Sequence, residues 1–231
     1  MSVTVVPVEG MPEVRPGDVL AELVAERFAL VDGDVVVVTQ KIVSKAEGRL
    51  VALDPTDPGA RERLIEDQSV RVLRRRGDAV IAETPHGFVC ASAGIDESNV
   101  ELGWAALLPV DADRSARRIR DGLRGRIGVR VGVVVSDTFG RPWRRGVTDV
   151  AIGCAGVAAV VNLRGTTDEQ GRVLSVTEVA VADELAGAAE LVMGKAAGVP
   201  VAVIRGVDPA WLREGSVADE IVRPHSEDLF R

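Results

Sequence analysis

The valine run Val133-Val134-Val135 constrains the fold of this chain more than any other stretch. β-Branched residues bounded by polar and turn-forming residues are typical of a strand buried on both faces of a sheet. The run ends abruptly in Ser136-Asp137-Thr138, and Gly140, Pro142 and Gly146 are then expected to break regular structure. In open sheets of this kind, ligands usually sit just beyond the carboxyl ends of the strands. The stretch therefore predicts a buried strand that leads directly into a ligand site.

The polar residues after this strand have two interpretations. The carboxylate of Asp137 and the hydroxyl of Thr138 suit a metal ion that holds a phosphorylated substrate. Guanidinium groups that could bind the same anion follow at Arg141, Arg144 and Arg145. In the alternative interpretation, Asp137 and Thr138 cap a turn and the arginines are solvated. Both interpretations fit this stretch taken alone.

Composition disfavours several classes of protein. A net charge of −7 argues against a nucleic-acid partner, since such partners are bound through basic residues. No apolar run approaches the ~20 residues of a membrane span and no signal peptide is visible, so we expect a cytoplasmic protein without a membrane partner. Cys90 and Cys154 are the only cysteines and cannot supply a zinc cage. Any metal is therefore expected to be a hard cation bound by oxygen.

The remaining pattern predicts strands and helices in a single domain over residues 1–231, because no repeat or low-complexity linker interrupts it. The second buried strand, over residues 35–39, leads into a stretch that carries Lys41 and Lys45. Thr177 is expected to cap a helix that continues to residue 193. Further predicted helices span residues 60–75 and 113–126, and another is expected after Asp18. Further predicted strands span residues 3–7, 79–84, 88–92, 157–163, 173–176 and 201–204.

The standard phosphate-binding and nucleophile motifs do not occur. Gly194-Lys195 is followed by Ala196 and lacks a glycine five positions earlier, so it is not a P-loop. No Gly-x-Gly-x-x-Gly follows a strand, and neither a Gly-x-Ser-x-Gly turn nor a cysteine–histidine pairing indicates a nucleophile. What remains is oxygen ligands at predicted strand ends and helix starts, namely Asp96, Asn99, Asp137, Thr138 and Glu178. They predict Mg²⁺ or Mn²⁺ with a nucleoside triphosphate, and hence metal-assisted phosphoryl transfer.

Four blocks of the chain resemble motifs of the coenzyme F420:L-glutamate ligase family. They are TQKIVSKAEGR at residues 39–49, AGIDESNV at 93–100, DTFGRPWR at 137–144 and GRVLSVTEVAVADE at 171–184. The blocks occur in the same order over essentially the whole chain, and together they are far more specific than any one of them.

The resemblance implies a fold, an activity and an assembly. Members of this family use GTP to join L-glutamate to the lactyl carboxylate of the deazaflavin coenzyme precursor, and further glutamates can follow through γ-linkages. The reaction would pass through an acyl phosphate. The family fold is mixed α/β, unlike P-loop or Rossmann proteins, and forms a homodimer. The flavin-binding reductase-like domain that some relatives carry at their C-terminus is expected to be absent.

The resemblance also implies site residues, with GTP as co-substrate. Two divalent cations, Mg²⁺ or Mn²⁺, would be held by Asp96, Asp137, Thr138 and Glu178, and K⁺ is a further candidate cofactor. The residues expected around the nucleotide are Met11, Pro12, Glu13, Val14, Gln40, Lys45, Asn99, Gly171, Arg172, Val173, Leu174, Ser175, Val176, Thr177 and Glu178. Lys45, Asp137 and Arg141 are the expected catalytic residues, with Lys45 supplying a point charge to the phosphates and Arg141, Arg144 or Arg145 holding an anionic substrate.

Two alternatives to this ligase remain. One is another metal- and nucleotide-dependent carboxylate–amine ligase or kinase, which a substrate screen at fixed nucleotide would identify. The other is a non-enzymatic nucleotide-binding module, which would bind GTP without releasing phosphate in the presence of acceptor and glutamate.

Overall fold

The structure, a computed structural model, describes residues 2–229 and is built around a five-stranded sheet. The strands are β1 (Thr4–Pro7), β2 (Val35–Thr39), β3 (Leu50–Ala52), β4 (Arg71–Arg76), β5 (Ala79–Glu83), β6 (Val89–Ala91), β7 (Trp104–Ala106), β8 (Gly132–Arg141), β9 (Arg144–Ala155), β10 (Val161–Asn162), β11 (Glu178–Val179) and β12 (Val201–Arg205). The α-helices are α1 (Leu20–Ala25), α2 (Gln40–Ala46), α3 (Ala60–Asp67), α4 (Ala112–Ile127), α5 (Val181–Met193) and α6 (Val217–Glu220).

The central sheet has the strand order β1-β12-β2-β8-β9. Among the strand pairs within residues 2–229, β2 and β8 are the only parallel neighbours, whereas a Rossmann sheet is mostly parallel. Nothing in this topology points to a Rossmann or P-loop fold, so the expectation of a mixed α/β fold of neither kind is confirmed.

The prediction of strands buried on both faces is also confirmed. Side chains alternate along a strand, so one set of valines packs with α1 and α4 and the other set packs with α5. Val133 and Val135 belong to the first cluster and Val134 to the second, and none of the three exposes any surface. The sheet therefore forms the middle layer of the fold, covered by helices on each side.

The prediction that this strand ends at Ser136 is wrong. β8 continues to Arg141 and pairs with β9 in a long antiparallel hairpin, in which Pro142 and Trp143 form the turn between the two strands. Gly140 pairs with Val147, and Gly146 lies within β9. The polar residues stay in the strand because the β9 backbone supplies their hydrogen-bond partners, which composition alone does not reveal.

Four other predicted elements are corrected. The helix over residues 60–75 ends at Asp67, and residues 71–76 form β4 because they pair with β5. The helix after Thr177 begins only at Val181, with no side-chain cap, and Glu178 lies in β11 opposite Asn162. The strands predicted at 157–163 and 173–176 reduce to β10 and to an isolated bridge between Thr167 and Val173.

Other predicted elements are confirmed. α4 covers the predicted helix over residues 113–126, begins after the N-cap Asp111 and ends at Gly128 in the left-handed conformation. β5 and β6 form the predicted hairpin, and β12 is the predicted last strand.

A smaller layer carries residues 92–100 to the edge of the central sheet. The sheets β4-β5-β6 and β3-β7 pack with α3 around a separate core that includes Ile65, Val80 and Leu107. Asp96 forms a bridge with Ala106 at the end of β7, which holds the following loop beside α2. Within residues 2–229, no helix is long and apolar enough to cross a membrane.

Candidate active site

Helix α2 begins directly at the carboxyl end of β2 and brings two lysines to the edge of the sheet. Thr39, the last residue of β2, pairs with Ser136 of the parallel strand β8. Lys41 and Lys45 follow in the first and last turns of α2, and Lys45 is 7 % exposed. The predicted position of the two lysines, just beyond a buried strand, is confirmed.

Lys41 is joined to Asp96 and its loop. The Lys41 ammonium lies 2.8 Å from Asp96 Oδ2 and donates to Ser98 Oγ at 2.8 Å. The Ser98 backbone N–H donates to Asp96 Oδ1 at 2.7 Å. Burial of Asp96 opposes ionisation, but the hydrogen bonds from Lys41 and Ser98 outweigh it and lower the pKa of this carboxyl.

Asp137 is the neighbouring carboxyl, and its environment is the opposite. Burial raises the pKa of Asp137 to about 7, and the charges of Asp96 and Asp149 act in the same direction. The hydrogen bond that Asp137 Oδ1 accepts from Thr138 N, at 2.8 Å, and the charge of Lys41 offset this only partly. Asp96 and Asp137 thus form a pair of carboxyls close enough to repel each other at a partly desolvated edge.

Thr138 and Asp137 face opposite sides of the hairpin. Phe139 packs with the cluster that contains Val133 and Val135. Asp137 lies two residues from Val135 and two from Phe139, so it is on the same face of the strand and faces the side of α1 and α4. Thr138 faces the side of α5, where it lies opposite Asp149 of β9.

Asp149 and Lys195 form a second polar cluster with Thr138. Asp149 is 3 % exposed and accepts from Thr138 Oγ1 at 2.7 Å. The Lys195 ammonium lies 2.5 Å from Asp149 Oδ1 and 3.0 Å from Glu190 Oε1. Burial disfavours the charged form of Lys195, but the two carboxylates outweigh this effect and raise the pKa of Lys195. Neither Asp149 nor Lys195 was expected at the site from the sequence. The Gly194-Lys195 pair is a sequence signal for Lys195, but the pair lacks the other residues of a P-loop motif.

Lys45 is held by the loop that was expected to contact the nucleotide. Its ammonium lies 2.5 Å from Glu13 Oε1, whereas the Glu13 side chain is 73 % exposed. Met11 packs on the core and Val14 is buried, so Pro12 and Glu13 are the exposed part of this loop.

Gln40 is buried and already has partners. Its amide donates to Ser44 Oγ at 2.6 Å and to the Leu107 carbonyl at 2.9 Å. One amide hydrogen therefore joins α2 to the segment after β7 and the other stays within the helix at Ser44, so both have partners inside the protein.

The other expected site residues lie on exposed segments. Asn99 is exposed with φ of +51°, and Arg141 is exposed at the end of the hairpin, where it donates to the Arg145 carbonyl at 3.0 Å. Glu178 is exposed and lies 2.7 Å from Arg164. The segment before it is mostly exposed, with Leu174 and Thr177 half-buried; it contains Gly171, Arg172, Val173, Leu174, Ser175, Val176 and Thr177. The structure thus brings Asp96, Asp137 and Lys41 together, puts Thr138 on the other face, and places Glu178 in an ion pair of its own.

Comparison with known proteins identifies the family. The family model described as F420-0:Gamma-glutamyl ligase matches residues 10–206. The chain belongs to this family. A Methanopyrus kandleri protein named coenzyme F420:L-glutamate ligase is 46 % identical over 95 % of this chain and 94 % of its own length. Proteins of the same name from Methanothermobacter thermautotrophicus and Archaeoglobus fulgidus are each 42 % identical over all of this chain, covering 100 % and 97 % of their own lengths.

Membership of the F420-0:gamma-glutamyl ligase family confirms the resemblance that the four sequence blocks indicated. The carboxyl pair of Asp96 and Asp137 offers the kind of oxygen ligand that a hard divalent cation prefers. Within residues 2–229, no three His, Cys, Asp or Glu side chains are grouped as a metal site. Asp96 and Asp137 nevertheless fit a divalent cation, because a desolvated pair of repelling oxygen ligands is stabilised by one.

Proposed function

We propose that this protein is a GTP-dependent ligase that joins L-glutamate to the lactyl carboxylate of the coenzyme F420 precursor and can add further γ-linked glutamates. The observation that carries the proposal is the meeting of Lys41, Lys45, Asp96 and Asp137 at one edge of the sheet in a chain that belongs to the F420-0:gamma-glutamyl ligase family. Cations beside clustered oxygen ligands are what transfer of a phosphoryl group to a carboxylate requires.

Lys45 would bind the nucleotide phosphates. Its ammonium is nearly buried and needs an anion, and an exposed carboxylate, that of Glu13, occupies this position. A phosphate oxygen can take the place of the Glu13 carboxylate at little cost, since Glu13 returns to water. The loop of Met11, Pro12, Glu13 and Val14 would then move with the nucleotide.

Asp96, Asp137, Thr138 and Glu178 would hold two divalent cations, Mg²⁺ or Mn²⁺, and Glu178 would leave Arg164 to do so. When bound, these cations would neutralise the negative charge on the oxygens of the transferring phosphoryl group. Lys41 keeps Asp96 ionised and orients it. The exposed guanidinium groups of Arg141, Arg144 and Arg145 are available for an anionic substrate.

The proposed reaction has two steps. An oxygen of the precursor carboxylate attacks the γ-phosphorus of GTP, so the bond to the β-phosphate oxygen breaks and GDP leaves. The neutral amine of glutamate then attacks the acyl carbon of the acyl phosphate, and inorganic phosphate leaves with the former carboxylate oxygen. The amine proton passes to water, and the site's lysines keep the phosphates aligned for both steps.

Two further parts of the proposal concern assembly and location. We propose a homodimer, for which the exposed apolar side chains Trp143 and Val147 of the β8–β9 hairpin are a candidate contact, 86 % and 59 % exposed. The reaction would take place in the cytoplasm, where GTP and glutamate are available.

The test is mass spectrometry of precursor labelled with oxygen-18 in its lactyl carboxylate, incubated with GTP, Mg²⁺ or Mn²⁺, and glutamate. We expect a product heavier by one glutamate residue and released phosphate that carries one labelled oxygen, formed in step. Unlabelled phosphate would exclude the acyl phosphate, and an unmodified precursor would refute the ligase. Asp137→Asn should abolish the product in a folded protein, whereas Asp54→Asn, a change in an exposed loop, should not.

A further inference from the structure

The ion pair between Lys45 and Glu13 is unequal in burial. The Lys45 side chain is 9 % exposed, whereas the Glu13 side chain that it contacts at 2.5 Å is 73 % exposed. Within residues 2–229, Glu13 supplies the only hydrogen bond or ion pair of this ammonium. A nearly buried cation needs an anion beside it, but an exposed carboxylate is well solvated without a partner. The contact therefore stabilises Lys45 far more than it stabilises Glu13.

The segment that carries Glu13 is anchored on both sides. Before it, the Gly10 carbonyl accepts a hydrogen bond from Arg27 Nε at 2.7 Å. After it, Val14 is buried in the core. Pro12 and Glu13 lie exposed between these two anchors. The Glu13 side chain can therefore leave Lys45 without disturbing the core.

The ammonium of Lys45 can bind an anion with more acceptors than a carboxylate offers. It has three donor hydrogens, and one oxygen of Glu13 accepts one of them. A terminal phosphate group carries more negative charge and three strong acceptor oxygens. Because Lys45 is nearly buried, its accessible side is small, and Glu13 covers it. A phosphate reaches the ammonium only when Glu13 has left.

We propose that Glu13 is an internal competitor of the nucleotide: in the free protein its carboxylate occupies the place of a phosphate oxygen on Lys45 and lowers the affinity for GTP. The inference deepens the proposed function and rests on it, because it takes Lys45 as a contact of the nucleotide phosphates. The apparent affinity of a site falls with the fraction of molecules in which the site is open. Glu13 lies in water once the nucleotide is bound, so it slows association and leaves dissociation unchanged.

The test is stopped-flow binding of a fluorescent, non-hydrolysable GTP analogue with Mg²⁺, which needs no acceptor and no turnover. Glu13→Gln keeps the shape of the side chain and removes the competing charge. We expect it to tighten binding by about three- to tenfold through faster association, since a partly exposed ion pair is a weak competitor. Glu9→Gln is the matched control and should bind as the unchanged protein does. Glu9 is an exposed carboxylate of the same loop, and within residues 2–229 it forms no ion pair.

A double variant separates competition at Lys45 from general repulsion. Lys45→Met removes the ammonium, so adding Glu13→Gln in that background should not change the association rate further. Weaker binding by Glu13→Gln would make Glu13 a ligand of the nucleotide, and tighter binding through slower dissociation would mean that Glu13 repels the bound nucleotide. Either result overturns the inference, as does an unchanged affinity.

The inference and the proposed function can fail separately. Failure of amide formation with this binding pattern intact would refute the proposed function alone. Amide formation by a protein in which Glu13→Gln leaves nucleotide association unchanged would overturn the inference alone.

Discussion

The stability of the fold is predicted to depend strongly on the carboxylate of Asp113. It lies in the first turn of α4, where it is 5 % exposed and accepts hydrogen bonds from two other parts of the chain. Its Oδ1 accepts from the backbone N–H of Cys154 at 2.7 Å and of Val217 at 2.9 Å, and its Oδ2 accepts from Ser216 Oγ at 2.9 Å and Ala218 N at 3.1 Å. One side chain therefore ties α4 to the end of β9 and to the start of α6.

The cost of removing this carboxylate can be worked out from those contacts. Cys154 and Val217 are fully buried, so Asp113→Ala leaves two buried donors unpaired at about 1–3 kcal/mol each. With the loss of the bonds to Ser216 and Ala218, we expect about 3–5 kcal/mol of destabilisation. Asp113→Asn should cost only about 1–2 kcal/mol, because its remaining carbonyl oxygen can accept from both buried donors.

Urea unfolding followed by circular dichroism measures these differences, with the slope checked for constancy. Asp111→Ala is the matched control, since Asp111 is the exposed N-cap of the same helix and accepts from Arg114 N at 2.8 Å. It should cost about 1 kcal/mol. A loss for Asp113→Ala no larger than for Asp111→Ala, or equal losses for the Asn and Ala variants, would refute the reasoning.

Three further predictions follow from the site and the surface. Lys45→Met removes the ammonium on which a phosphate would replace the Glu13 carboxylate, so it should weaken GTP binding at least about tenfold, or about 1.4 kcal/mol. A fluorescent-nucleotide competition assay measures this affinity, and an unchanged value would exclude the contact. Burial raises the pKa of the Cys90 and Cys154 thiols to about 12, so Ellman's reagent at pH 8 should find no reactive thiol in the native protein and two after denaturation. Light scattering should give twice the chain mass of 24.4 kDa, and a monomer mass at micromolar concentration would contradict the proposed dimer.

The buried strands could be predicted because their signal is local. Four consecutive valines of β2 are fully buried, and only a strand covered on both faces uses such a run. The extension of β8 could not be predicted, since Asp137 and Gly140 are poor strand formers on their own. Their conformation is decided by β9, and no local pattern reveals that partner.

Residues 71–76 were predicted to be helical but form the strand β4, because their pairing partner is not visible in the local sequence. Their arginines fit a solvated helix face as well as an exposed strand, and the helical apolar spacing that leads up to them favours the helix. The structure pairs them with β5, where Arg71 lies 2.7 Å from Glu83. The tertiary context therefore overrides a local preference that is worth only tenths of a kcal/mol per residue, or roughly 1 at most.

Some residues of the site could be placed from the sequence and others could not, for the same reason. Lys41 and Asp96 could each be placed beyond a strand end from the sequence, but their contact spans 55 positions and depends on the bridge that holds Asp96 to Ala106. Asp149 and Lys195 gave no usable signal. They join Thr138 only because the hairpin is long and α5 packs across it, and both facts are tertiary.

A single irregularity in the hairpin determines which side chain reaches Thr138. The register shifts between Val135 and Ser136, where Val135 pairs with Gly153 but Ser136 pairs with Ala151. Ile152 is the extra residue of this bulge, and it packs on the same face as Val135. Without the bulge, Thr138 would lie opposite Val150, and the Asp149 carboxylate would face the side of Asp137. The extra residue therefore keeps Asp149 beside Thr138 and apart from the Asp96–Asp137 pair, so that two polar clusters can form on the two faces of one strand pair.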